Sequence, residues 1–95
     1  EPSMTVSLGN TTFDNVFYDS PVDVLYLHKG DPASAVDFDE TAEGDHVRFD
    51  STGALVGLTI LNAKLRAERD GKIELTIPQH LDVEAASLDA VFAAA

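Results

Sequence analysis

Cysteine is absent from this chain of 95 residues, which removes disulfides, thiolate metal sites and cysteine nucleophiles at once. The absence is compatible with a reducing cytosol, and a cytoplasmic location is the expectation. Bases are scarce: six lysines and arginines stand against 17 acids, for a formal net charge of −11. Such a balance repels phosphate backbones and anionic lipid, so neither nucleic acid nor a membrane surface is expected as a direct partner. Long apolar runs are missing as well. The longest, Ala54 to Leu61, is interrupted by Gly57 and Thr59 and is too short to span a bilayer. The first residues lack a basic start followed by an apolar stretch, so no secretory signal is expected.

Chemical signatures are equally sparse. There is no P-loop and no dinucleotide-binding glycine pattern, so no cofactor is expected. The serines lie in no G-x-S-x-G context, and no catalytic residue is assigned. His28, His46 and His80 are too scattered for a compact metal motif. The acids Asp37, Asp39, Glu40, Glu43 and Asp45 fail as a calcium loop, because Ala42 and Arg48 stand where that template needs Gly and Glu. They read as a solvated acidic loop, and no metal site is assigned; a calcium titration tests an untemplated one.

What remains is a globular composition, 44% apolar, in a length that suits one domain over residues 1–95. Met4, Val6 and Leu8 alternate as a half-buried strand does, and Gly9–Asn10 signals a turn. Extended character resumes over 12–18, with Phe13 and Phe17 on one face and Val16 and Tyr18 on the other. Asp19–Ser20–Pro21 interrupts it. Val22–His28 and Ala54–Leu61 are apolar on both faces, which predicts two neighbouring central strands with cover on each side. Between them, a short strand over 35–39 would point Val36 and Phe38 inward. His46–Asp50 alternates with Val47 and Phe49 inward, and Asp50–Ser51–Thr52–Gly53 predicts a hairpin loop.

Residues 62–69 tolerate a helix, but Asp70–Gly71 is a two-residue hairpin signal followed by alternating Ile73, Leu75 and Ile77, and the hairpin is favoured. After Pro78, the stripe Leu81, Ala85, Leu88, Val91, Phe92 and Ala95 predicts a C-terminal amphipathic helix with Asp82 as its N-cap. The expected fold is α+β: five to seven short, mostly antiparallel strands in a hairpin meander, closed by that helix.

The ordered set Tyr18–Asp19, Val22–Asp23–Val24–Leu25–Tyr26, Val47–Arg48–Phe49–Asp50 with Gly53, and Val56–Gly57–Leu58–Thr59–Ile60–Leu61–Asn62–Ala63 resembles the DUF2283 family. Those are small, mostly prokaryotic proteins with a "YD…aDvLYi" first half and a "vDyd.dG.vvGieil.A" second half. The resemblance covers about residues 16–64; this chain adds an N-terminal strand and a tail from about residue 65. It implies a fold and leaves the activity open.

Two functions are carried forward. The first is a non-catalytic interaction or structural module, in one version an acidic protein masking a small basic partner. The second is a small ligand-binding protein or enzyme with a pocket near Asp19, Asp23, Tyr26 and His28. A sheet apolar on both faces with one helix to cover it argues for self-association, so a homodimer is expected. Lys64, Arg66, Arg69 and Lys72 cluster around Asp70–Gly71. They would serve as an acidic-partner contact or as charges that keep an exposed hairpin from edge-to-edge pairing.

Overall fold

In the computed structural model, residues 5–8, 11–76 and 80–94 are described. Among them are nine strands and two helices. β1 (Val6–Leu8) and β2 (Thr11–Phe13) form a hairpin. β3 (Asn15–Asp19), β4 (Val24–His28), β5 (Asp37–Glu40), β6 (His46–Phe49) and β7 (Leu55–Leu61) form an antiparallel sheet in the order β3-β4-β7-β6-β5. α1 (Ala63–Asp70) follows, then the antiparallel pair β8 (Lys72–Thr76) and β9 (His80–Glu84), and finally α2 (Ala85–Ala94). The fold is α+β, with the two doubly apolar strands β4 and β7 paired in its centre.

The inward set is Tyr18, Leu25, Leu27, Val47, Leu58 and Ile60. Against it pack Ala63 and Ala67 of α1, Leu88 and Val91 of α2, Ile73, Leu75 and Val83 of the β8–β9 pair, and Val6 and Phe13 of the first hairpin. Edge-on contact between Tyr18 and Phe92, 4.9 Å apart at 68°, ties β3 to α2. The loop after Asp50 forms as expected. Its carboxylate accepts from the Thr52 and Ala54 amides and the Thr52 hydroxyl, and Gly53 takes φ +84°.

Five expectations are corrected. Residues 63–70 are helical rather than the first arm of a hairpin. Ala63 and Ala67, one turn apart, face the core, and the Asp70–Gly71 dipeptide ends the helix instead of turning a hairpin. Gly71 adopts φ +75° and donates its N–H to the Ala67 carbonyl, a left-handed helix stop. The helical stripe expected from Leu81, with Asp82 as N-cap, instead begins in a strand: residues 80–84 form β9, and the helix starts at Ala85. The reason is the backbone of β8, which needs a ladder partner and finds it in β9, Ile73 opposite Val83.

Third, extended chain over 12–18 is interrupted at Asp14, whose carboxylate accepts the Gly30 N–H at 3.0 Å. Phe13 is left in the core while Phe17 turns to solvent. Fourth, Val36, just before β5, and Phe38 within it stand exposed rather than inward, because β5 is an edge strand exposed along its whole length. Fifth, β4 and β7 are covered on one face only: Tyr26 and Leu61 stand exposed on the other. Met4, Gly9–Asn10, Ile77, Pro78 and Ala95 lie outside the described residues.

Candidate functional site

Strand alternation sorts the candidate residues to two sides of the large sheet. On the outer side, register places Phe17, Tyr26, Thr59, His46 and Glu40 in one row across all five strands. Asn15, His28, Gly57, Arg48 and Phe38 form the next row. Asp19, Val24 and Leu61 lie on the other side of the Phe17 row. Of the four residues expected to share a pocket, Asp19, Tyr26 and His28 are on this face, spread along β3 and β4. Asp23 is not, because its carboxylate turns toward Tyr18 and α1.

The outer face is aromatic. Phe17 and Tyr26 stack with ring centres 5.9 Å apart at 25°, and the Arg48 guanidinium lies 5.8 Å from the Phe38 ring centre. Phe17 is 61% exposed, Tyr26 41%, Phe38 70% and Leu61 39%. At the centre, Gly57 keeps the face low. A β-carbon there would stand 3.2 Å from Cβ and Cδ of Arg48 and 3.3 Å from Cδ2 of His28. Those two side chains therefore cross the strand where a larger residue would lift them. Nδ1 of His28 is 3.2 Å from the Gly30 carbonyl, which only accepts, so that contact needs the proton on Nδ1. Nε2 is enclosed without a hydrogen-bond partner. A hollow of about 280 Å³ lies among Tyr26, Phe38, His46, Arg48 and Thr59.

Asp23 is an architectural residue. It sits at φ +55° in the turn between β3 and β4. Its carbonyl accepts the Ala63 N–H at 3.1 Å, and its carboxylate accepts the Lys64 and Leu65 amides at 2.8 and 3.1 Å. These are the orphan donors at the start of α1, whose own N-cap residue, Asn62, makes no side-chain cap. The same carboxylate accepts the Tyr18 hydroxyl at 2.7 Å. Partial burial opposes ionisation of Asp23, but these bonds and the Lys64 charge outweigh it and hold the carboxyl below its ordinary value. Burial, then the Asp23 bond and the charges of Asp23 and Glu68, push the Tyr18 hydroxyl up to about 12.

Asp45 is a second buried anchor that sequence reading placed in a polar turn. It is 0% exposed, and one carboxylate oxygen accepts the Leu61 N–H at 3.1 Å and the Arg66 guanidinium at 2.7 Å. Arg66 also donates to the carbonyls of Leu61 and Glu74. The other acids of that stretch diverge: Asp37, Asp39 and Glu40 are exposed on β5, and Glu43 binds the amide and hydroxyl of Thr76. Among the described residues, no three His, Asp or Glu side chains gather into a metal-ligand set. The basic cluster is likewise divided, since Arg66 turns inward and Arg69 pairs with Asp70 at 2.9 Å. No described helix is long and apolar enough to cross a membrane.

The signature residues thus have a common use. The first half supplies Tyr18 and Asp23, and the second half leads through Leu61 into Ala63, the residue that Asp23 receives. No curated protein and no solved structure matches the chain. The profile of DUF2283, described as a protein of unknown function, matches residues 15–64, and the chain belongs to that family.

Proposed function

We propose that this chain is a non-catalytic interaction module whose working surface is the open outer face of the five-stranded sheet, where another protein docks. One observation carries the reading: Phe17, Tyr26, Phe38 and Leu61 stand exposed on a single face. Scattered apolar residues are ordinary on a surface, but several large ones on one open sheet face, two of them stacked and one under an arginine, mark a contact site. Tyr26 and Arg48 suit such a role, since aromatic and arginine side chains carry much of the energy at protein interfaces.

The charge of the chain supports a second reading, an acidic surface that masks a small basic protein. Its acids Asp37, Asp39 and Glu40 line the β5 edge of the sheet, with Glu40 at the end of the Phe17 row and Asp39 at the rim of the hollow. Salt separates the two readings, because docking on the face persists at about 0.5 M NaCl whereas charge masking weakens there.

Hydroxyl-radical footprinting tests the first reading. In concentrated extract of the native cell, Phe17, Tyr26 and Phe38 are expected to react several-fold more slowly than in dilute purified protein. Equal reactivity would overturn the reading. Protection that nuclease treatment removes would assign the face to nucleic acid and overturn it equally.

A further inference from the structure

We infer that the occupant of this face is a second copy of the same chain, packed sheet on sheet about a two-fold axis. The inference rests on the docking function proposed above and names its partner.

Charge is the first argument. Two molecules of net charge −11 repel wherever their acids meet. The three outer rows hold one base, Arg48, and two acids, Asp19 and Glu40, on different strands. Asp39 adds a third acid at the rim of the hollow. The other fourteen of the 17 acids are neither in these rows nor at the hollow, and here two copies approach at least cost. A basic protein would instead find Arg48 in its way and few acids to neutralise.

Shape is the second argument. Phe17 projects from β3 and Phe38 from β5, the two edges of the sheet. The hollow among Tyr26, Phe38, His46, Arg48 and Thr59 lies on the β5–β6 side. A two-fold axis along the strands lays β3 of one copy over β5 of the other. Each Phe17 then descends on the half of the face that carries the other copy's hollow, and symmetry makes the contact twice.

Area is the third argument. Five strands about 4.8 Å apart and five residues long give a face of about 24 by 17 Å. With side-chain relief, two such faces bury roughly 1,200 Å² in total, the lower bound for a specific stable interface. The expected dimer is accordingly reversible, with a Kd of about 10 µM.

Sedimentation velocity on the purified chain, from about 1 to about 200 µM, tests this. The wild type is expected to pass from monomer to dimer. Phe17→Lys with Phe38→Lys, which alters four positions across a two-fold interface, should stay monomeric over this range, a loss of about 1,000-fold or more in affinity. Leu65→Ser, at an exposed site on α1, should dimerise like the wild type. Should the double variant not fold, footprinting of the wild type over the same range decides: Phe17, Tyr26 and Phe38 must lose reactivity as dimer forms. A dimer that survives the face variants, or leaves those three residues reactive, overturns the inference. A chain monomeric throughout, yet protected on this face in cell extract, overturns the second copy while the docking function stands. Monomeric and unprotected, both fall.

Discussion

At Asp23 one carboxylate accepts bonds from the Tyr18 hydroxyl and from the Lys64 and Leu65 amides, and its loss would orphan all three. Removing a helix cap costs about 1–2 kcal/mol, and an unpartnered buried hydroxyl about 1 more. Asp23→Ala is therefore expected to lose about 2–3 kcal/mol in urea denaturation. Asp23→Asn should lose less, since an amide oxygen still accepts and Asn tolerates positive φ.

The pH dependence has two limbs. Asp23 titrates below its ordinary 3.8 in the fold, so its contribution is present above that value and fades as pH falls through the lower, folded one. Tyr18 titrates at about 12 rather than 10. Its contribution is complete below pH 10 and is lost as pH rises from 10 to about 12. Tyr18→Phe should flatten that alkaline loss in a pH series of thermal melts.

Gly57 makes a third residue-scale test. Cβ of Arg48, 3.2 Å from the site of an added methyl, belongs to the paired strand and has little room to yield. Gly57→Ala is expected to cost about 1 kcal/mol, or roughly 5 °C in Tm by calorimetry.

At the scale of elements, Arg66 fastens α1 to the 41–45 turn, β7 and β8 through Asp45 and the carbonyls of Leu61 and Glu74. Breaking a buried pair by deleting one partner leaves the other charge stranded. Arg66→Ala should therefore destabilise by about 3 kcal/mol, and Asp45→Ala added to it should cost little more, a coupling that a double-mutant cycle reads directly. Nothing around Asp45 announces this in the sequence, because its partner is 21 residues away and its neighbours read as turn.

The strands that could be read are those whose cause is local. β6 alternates, β7 is a nearly continuous apolar run, and the loop between them carries its own Asp50 and Gly53. α1 could not be read for the opposite reason. Its cap comes from Asp23, its buried face consists of two alanines, and Leu65, its largest apolar side chain, is 56% exposed. β9 was hidden because residues 80–84 carry an apolar spacing that a helix also accepts. Of the candidate site, Tyr26 and His28 were legible as positions on a central strand. The sequence pattern puts Phe17 on the face of Phe13 and turns Phe38 inward, and both fail, because the strand is interrupted at Asp14 and an edge strand escapes the rule that apolar residues turn inward.

For the molecule as a whole, the acidic excess sets the response to salt. Crowding seventeen acids onto a small body opposes the compact state, and opposes the association of two such bodies further. Raising NaCl from about 0.05 to about 1 M is expected to raise Tm by several degrees and to tighten self-association. Paired melting and sedimentation runs check both, and weaker association at high salt would indicate an interface held by ion pairs instead.

The distant cap also orders events in time. A helix of eight residues falls short of the length at which isolated helices persist in water, about 12–15. α1 thus waits for the β3–β4 turn to deliver Asp23 across 41 residues of chain, and forms as a late, cooperative step rather than as a seed. A peptide spanning residues 60–72 should show no helix by circular dichroism. In refolding, hydrogen-exchange protection of the Arg66 and Gly71 amides, which bond within and at the end of α1, should appear together with burial of Tyr18, and protection that precedes it would reverse that order.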